Sequence, residues 1–309
     1  MIHLTLRQLQ LFDAVARHLS FSRASGELHL SQPAVSMQIK QLEEAVGMSL
    51  FEQVGKKIFL TDAGREVQRS SQEISQNLLD LEGALADLQG LKSGRLIVGV
   101  VSTASVFATR LMAHYRKLQP EVQLTLNVVN RETLLHQLAH NETDLAIMGQ
   151  PPEGRDLSSQ AFMRNPLVLV AATNHPLAGE SSIPFSRLAG QPLLGREPGS
   201  GTRSAMEAIF RKHGIGLAPA MEMNNNEAIK QAVEVGLGLG VVSLHTVEHE
   251  LRAGRMVALD VEGFPIRRDW YLVYRQGKRL SPAAQSFRDF VLEQGAQMEL
   301  GVPLAGDAY

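Results

Sequence analysis

Residues 31–46, Ser-Gln-Pro-Ala-Val-Ser-Met-Gln-Ile-Lys-Gln-Leu-Glu-Glu-Ala-Val, constrain this chain more than any other stretch, because they specify one amphipathic helix with a defined start. Val35, Ile39, Leu42 and Val46 recur at i, i+4, i+7 and i+11, an apolar stripe at helical period. Ser31 stands where an N-cap hydroxyl accepts a free backbone N–H. Pro33 falls in the first turn, where its missing donor costs nothing. The opposite face carries Gln32, Ser36 and Lys40. Amides and hydroxyls both donate and accept, and an ammonium neutralises phosphate, so this row suits base edges and the DNA backbone.

The flanking residues fit the same purpose. Leu4, Leu6, Leu9, Phe12, Val15, Ala16 and Leu19 make a helical stripe over residues 5–18, a scaffold helix. Ser20-Phe-Ser22 caps a second, short helix carrying Arg23, Ala24, Glu27 and Leu28, and His29-Leu30 turns into the organising helix. Two short helices joined by a tight turn form a helix-turn-helix whose second member reads the groove. Gly47 stops that helix, and two apolar runs then flank Gly55-Lys56-Lys57, a hairpin with a basic tip, the wing of a winged helix. The candidate DNA contacts are therefore Arg23, Ser31, Gln32, Pro33, Ser36 and Lys40, with Lys56 and Lys57 on phosphate or in the minor groove. A single amphipathic helix is ordinarily a surface helix, but these elements together within about sixty residues specify a reader.

Residues 62–91 read as one long helix opened by Asp62. Val67, Ile74, Leu81 and Leu88 repeat every seven residues, with Leu78 and Leu85 interleaved, which is a heptad seam. Such a seam needs a partner, either the helix's own domain or, as the polar surroundings favour, a second copy, and a dimer of readers suits an inverted-repeat operator.

After Lys92-Ser-Gly94 the pattern alternates between strand and helix. Strands are expected at 96–101, 122–129 and 145–148 with helices at 104–119 and 131–141, a parallel α/β sheet. Gln150-Pro-Pro-Glu-Gly154 interrupts it. A second set follows: strands 167–172, 192–195, 219–223 and 239–243 with helices 203–213 and 226–235, then a strand at 269–275 and a closing helix at 282–297. The predicted class is α/β: a winged helix-turn-helix (1–61), a linker and dimerisation helix (62–92), and a two-lobed, periplasmic-binding-protein-like effector domain. That domain covers 93–309, with lobe I at about 93–162 and 268–309 and lobe II at about 163–267.

Ligands in open α/β sheets sit at strand carboxyl ends and helix N-termini. That rule selects Ser102 and Thr103 after the first strand, Asn130, Arg131 and Glu132 after the second, Arg196, Ser200, Thr202 and Arg203 in a Gly-rich loop, and Asn226 at another helix start. Two Arg, hydroxyls and glycine-freed N–H groups make an anion site. The bland reading is that the glycines only make the turn and that Arg196 or Arg203 pairs with Glu.

Other chemistries find no support. The chain has no cysteine, which removes disulfides, thiol nucleophiles and thiol-based zinc sites. The net charge of −2 argues against a protein that coats nucleic acid, so DNA contact rests on a few placed bases. No long apolar run and no signal-peptide order occur in its 309 residues, so a cytoplasmic protein without membrane contact is expected. The pairs His136/His140 and His245/His249 have metal-ligand spacing but lack a third ligand, so no metal is expected. Gly236-Leu-Gly-Leu-Gly240 follows a helix and opens a strand, the reverse of a dinucleotide loop. Gly199-Ser-Gly201 is not a nucleophile elbow, and no nucleophile–base pairing is evident, so no catalytic residue is expected.

The run from Ala24 to Phe51, Ala-Ser-Gly-Glu-Leu-His-Leu-Ser-Gln-Pro-Ala-Val-Ser-Met-Gln-Ile-Lys-Gln-Leu-Glu-Glu-Ala-Val-Gly-Met-Ser-Leu-Phe, resembles the N-terminal signature of LysR-type transcriptional regulators. The family commonly has Arg two residues after the Leu-Phe pair; this chain has Gln53, with Lys56 and Lys57 as substitutes. Val101-Ser-Thr-Ala, Asn130-Arg-Glu-Thr-Leu-Leu, Asp144-Leu-Ala-Ile-Met-Gly-Gln-Pro-Pro-Glu-Gly, Arg196-Glu-Pro-Gly-Ser-Gly-Thr-Arg and Asn226-Glu-Ala-Ile-Lys-Gln resemble the activators of carbon fixation operons within that family. The resemblance implies a homodimer or homotetramer on double-stranded DNA, contact with RNA polymerase, no cofactor, and an anionic effector such as a phosphorylated sugar, phosphoenolpyruvate or NADPH. The rival readings are a LysR-type regulator of another metabolic operon and a solute-binding α/β protein that does not bind DNA.

Overall fold

The structure, a computed structural model, describes residues 4–55, 57–88, 94–154 and 156–295. The chain divides into two compact units, Met1–Glu82 and Gly83–Tyr309. In the first, α1 (Leu6–His18) opens with a capping box in which Thr5 and Gln8 satisfy each other's backbone N–H. Helix α2 (Phe21–Glu27) is capped by Ser20 and α3 (Gln32–Val46) by Ser31, with Gly47 in the left-handed conformation at its end. Phe12, Val15, Ala24, Val35, Ile39 and Leu42 close the core of this three-helix unit. The hairpin β1 (Phe51–Val54) and β2 (Lys57–Leu60) is antiparallel. Glu43 ties the reading helix to it by accepting the N–H groups of Leu50 and Phe51 at 2.7 and 3.3 Å.

Helix α4 (Asp62–Leu88) follows the hairpin. The Thr61 hydroxyl donates to the Ser49 carbonyl at 2.7 Å and accepts from the Gly64 N–H at 3.0 Å. A side chain at Gly64 would meet the Leu50 carbonyl oxygen at 2.0 Å, so this close approach requires glycine. Ser71 of α4 donates to Asp13 of α1 at 2.6 Å, and burial holds that carboxyl up to about 6. Beyond this contact Ile74, Leu78, Leu81 and Leu85 are exposed along one row. The side chain of Leu88 lies outside the described residues.

The second unit holds two five-stranded sheets. The first is ordered β4 (Gln123–Val129), β3 (Arg95–Val101), β5 (Leu145–Met148), β12 (Asp269–Arg275) and β6 (Leu157–Arg164). The second is ordered β11 (Met256–Ala258), β7 (Leu167–Ala172), β10 (Leu239–Ser243), β8 (Leu193–Arg196) and β9 (Met221–Met223). Helices α5 (Ser105–Leu118) and α10 (Pro282–Gly295) cover one face of the first sheet and α6 (Arg131–Ala139) the other. Helix α7 (Gly201–Lys212) covers one face of the second, with α8 (Asn226–Glu234) and α9 (Leu244–Arg252) on the other. Strands buried on both faces read as unbroken apolar runs, as in β5, β7 and β10.

Three features depart from the sequence reading. The sheets are mixed: β12 runs antiparallel to β5 and β6, and β7 antiparallel to β10 and β11. The chain leaves the first sheet after β6 and returns through β12, and the returning strand enters from the opposite end. Strands β6 and β11 are additional to the expected elements; β6 carries Ser158, Ser159 and Gln160 at the sheet edge, and so shows no apolar run. Helix α7 starts at Gly201, two residues before its predicted start. Among the described residues no helix is long and apolar enough to cross a membrane.

Candidate functional site

The reading face of α3 is built by opposition. Val35, Ile39 and Leu42 are buried, which turns Gln32, Ser36 and Lys40 outward, and Ser31 and Pro33 are exposed at the helix start. Arg23 is exposed on α2 and Lys57 on the hairpin, while Lys56 lies outside the described residues. No side-chain hydrogen bond or ion pair engages Arg23, Gln32, Ser36, Lys40 or Lys57 among the described residues, so these donors and acceptors are available to a partner. Gln53 donates to the Gly55 carbonyl at 2.9 Å and braces the turn instead of projecting as a cation would. Below this surface Glu27 accepts from His18 at 2.6 Å and from Arg17 at 3.1 Å, locking α1 to α2.

The second candidate site is a cavity between the two sheets of the second unit. Ser102, Thr103, Asn130 and Arg131 enter from one side and Arg196, Ser200 and Thr202 from the other. The cavity volume is about 50 Å³. Thr103, Arg196, Ser200 and Thr202 are buried polar residues, which is a costly choice in a lining unless something polar is to be bound.

Helix starts explain the placement. Asn130 and Asn225 cap α6 and α8 with their side chains, accepting from the Thr133 and Ala228 N–H groups at 2.8 Å. Ser200, the cap residue of α7, makes no such bond, so the first N–H groups of α7 stay unsatisfied at the cavity wall. Gly201 permits this opening to approach the other lobe: a side chain there would lie 3.2 Å from Arg131 Nη1.

The remaining sequence candidates lie elsewhere. Glu132 is exposed one residue past the lining. Arg203 turns away, donating to Glu207 at 2.8 Å, to Glu222, and to the Arg196 carbonyl at 2.8 Å. Asn226 is buried off the cavity with neither amide atom hydrogen-bonded. Arg196 lines the cavity but is held by Glu197 through two bonds of 2.7 and 2.8 Å. The bland reading of this loop therefore accounts for both arginine–carboxylate pairs, although not for the cavity.

Sequence reasoning missed Met148, Asn165, Leu167, Arg268 and Trp270 of the lining. Arg268 and Trp270 precede and begin an antiparallel strand, so their N-terminal end lies where β3 and β5 have carboxyl ends. A rule that inspects only carboxyl ends passes them over. Of the paired histidines, the rings of His136 and His140 stack at 3.9 Å, and His245 donates to the Arg164 carbonyl at 2.9 Å, with burial keeping its pKa below the usual value. No group of three metal-ligating side chains occurs among the described residues.

Comparison with known proteins agrees with this division. Residues 6–65 match the family described as bacterial regulatory helix-turn-helix protein, lysR family, and residues 89–296 match the LysR substrate binding domain. The RuBisCO operon transcriptional regulator of Allochromatium vinosum is 54% identical over 297 residues, 96% of this chain and 98% of the relative. The regulatory domain of CcmR from Synechocystis PCC6803, in complex with 2-PG, is 40% identical with a TM-score of 0.64, covering 67% of this chain and 99% of that one. A full-length OxyR from Pseudomonas aeruginosa shares the fold at a TM-score of 0.72 with 22% identity, covering 96% and 95%. With a helix-turn-helix whose reading face is unengaged and a two-sheet domain closing on a polar cavity, the chain belongs to the LysR family of bacterial transcriptional regulators and is a DNA-binding regulator, not an enzyme.

Proposed function

We propose that this regulator controls carbon fixation genes and that a small anionic metabolite, bound in the cavity between the lobes, modulates its action on the operator. The observation that carries the reading is the 54% identity along nearly the whole chain to a RuBisCO operon regulator. The buried hydroxyls, the uncapped start of α7 and the nearby arginines supply the chemistry for an anion. No prosthetic cofactor is needed for this; the effector is itself a metabolite, with phosphorylated sugars, phosphoenolpyruvate and NADPH as candidates.

The protein acts in the cytoplasm as a homodimer or homotetramer. The exposed row on α4 joins two copies, so that two α3 helices face successive turns of an inverted repeat. Arg23, Ser31, Gln32, Pro33, Ser36 and Lys40 contact the groove and its backbone, and Lys56 and Lys57 the flanking phosphates. The effector favours one arrangement of the lobes over another and so shifts the population of operator-bound states. Bound at a promoter, the protein contacts RNA polymerase.

Calorimetric titration with a panel of phosphorylated metabolites and NADPH tests the cavity, and a parallel operator titration tests the reader. The expected result is one bound metabolite class, with Ser36→Ala and Lys40→Ala combined in one chain abolishing specific DNA binding while leaving that metabolite bound. Loss of metabolite binding in that variant, with DNA binding kept, contradicts the assignment of the two sites.

A further inference from the structure

We infer that His245 is a latch between the two lobes: its neutral ring holds α9 of the second lobe against the first, and proton uptake by the ring releases the closed arrangement. The inference rests on the change of lobe arrangement proposed above, though not on the identity of the effector. His245 is the second residue of α9, which covers the second sheet, yet its contacts lie in the first lobe. Its Nε2–H donates at 2.9 Å to the carbonyl of Arg164, the last residue of β6. Its ring centre lies 5.6 Å from that of Phe107 on α5. Phe107 in turn stands 5.1 Å from the ring of Trp270, a cavity residue. Helix α9 also packs on residues 102–104, of which Ser102 and Thr103 line the cavity. The two residues before His245 are tied to the crossing between lobes. Ser243 donates to Asn165 Oδ1 at 2.7 Å, and the Leu244 N–H to the Pro166 carbonyl at 3.0 Å. Within this set of contacts His245 is the group that titrates near neutrality.

The surroundings of the ring decide the sign. The Arg164 carbonyl accepts from the ring in either protonation state and by itself favours the cation. The rest opposes it. Burial beside Phe107 disfavours charge, and Arg110 on α5 adds like-charge repulsion. Residues 102–104, β10 and β11, all packed on α9, carry no ionisable side chain, and β6 ends in a second cation, Arg164. On α9 itself Glu248 attracts the proton, but its carboxylate is paired with Arg252 at 2.8 Å, and His249 is exposed. Burial first, then Arg110, hold the latched ring below the usual histidine value. Once the lobes part, the ring returns to water and to about 6.5. A group with the lower pKa in the closed state stabilises that state fully above its ordinary value, and this contribution is lost as pH falls below it. Acid therefore opens the lobes.

The test is energy transfer between dyes on Glu121→Cys in the first lobe and Lys212→Cys in the second, both exposed, in the full chain, which has no cysteine of its own. Labelled chain is diluted into excess unlabelled chain, so that each oligomer holds one labelled copy. Without metabolite, the otherwise wild-type chain is expected to move from a closed to an open transfer value as pH falls from about 8 to about 5.5. His245→Gln keeps an N–H donor but cannot titrate, and is expected to hold the closed value throughout. His245→Ala is expected to show a closed-to-open ratio about 2- to 10-fold lower at the higher pH, the span of one net hydrogen bond, with no further fall in acid. Unchanged melting temperature establishes that the variants fold; if His245→Ala melts early, His245→Gln alone decides. An acid response in His245→Gln equal to that with His245 present overturns the latch, as does no acid response in either. Transfer that answers to saturating phosphoglycolate but not to pH overturns the latch and leaves the effector reading intact. Transfer that answers to pH but to none of phosphoglycolate, phosphoenolpyruvate and NADPH keeps the latch and contradicts the effector reading.

Discussion

Replacing Leu81 by alanine is predicted to weaken pairing of the α4 helices by about 2–3 kcal/mol per dimer. Leu81 is 54% exposed in the single chain, so roughly half of its burial remains to be gained from a partner. Complete burial of a leucine contributes about 2–3 kcal/mol, so the missing half is about 1–1.5 kcal/mol in each copy. Two copies lose the contact together, which corresponds to a roughly 30- to 150-fold higher dissociation constant. Ile74, Leu78 and Leu85 lie on the same row and are 37–48% exposed, so one truncation weakens the seam without abolishing it. Leu81→Asp should do more, because it adds the cost of burying a carboxylate. Fluorescence-detected sedimentation over a nanomolar to micromolar series reads the constant. Met48→Ala, a similarly exposed methionine away from the seam, serves as the control. Self-association by Leu81→Ala and Leu81→Asp at the wild-type constant would refute the seam.

Further expectations concern the two sites and the core. Lys40→Ala should weaken operator and non-specific DNA alike and reduce the magnitude of the salt slope by about one, whereas Ser36→Ala should relax discrimination by about 1–3 kcal/mol at one base position; salt-dependent anisotropy distinguishes them. Asp13 has a folded pKa of about 6 against 3.8, raised chiefly by burial and offset by Ser71 and Arg17. Its contribution to stability is therefore full below pH 4 and is lost as pH rises through 6. Asp13→Asn should become more favourable relative to wild type by about 1–2 kcal/mol between pH 4.5 and 8, after allowance for partial exposure, which melting curves at the two pH values will show. Arg196→Ala should lower stability by about 3 kcal/mol, because it leaves the largely buried Glu197 carboxylate without its partner, and a drop in denaturation midpoint reports it.

The reader was legible because each local signal agreed with the tertiary result. Ser31, Pro33 and Gly47 fix the ends of α3, and the stripe through Val35, Ile39 and Leu42 fixes which face is buried. Caps and helical periodicity act over a few residues, so sequence alone carries them. The alternation that produced β3, β5, β7 and β10 was legible for the same reason. Strand direction was not, since whether β12 runs with or against β5 depends on where the chain re-enters the sheet, a long-range fact. That one unknown hid Arg268 and Trp270. Arg203 was misplaced for a different reason: Glu207 lies one turn further along α7, but Glu222 arrives from β9, and only packing brings it within reach. Of the Gly-rich residues 199–201, expected on the wall of a binding site, Ser200 and Gly201 line the cavity, and which of the polar neighbours face it depends on α7 starting at Gly201.

Metabolite binding in the effector unit and operator reading by α3 are expected to be thermodynamically coupled. The most direct test is the operator affinity of the full chain, measured by anisotropy on an inverted-repeat promoter fragment with and without saturating phosphoglycolate. The expected result is a shift of about 5- to 150-fold, matched by an equal shift in metabolite affinity when operator is saturating, as linkage requires. Operator affinity that stays the same at saturating metabolite, with metabolite affinity likewise indifferent to DNA, would contradict it.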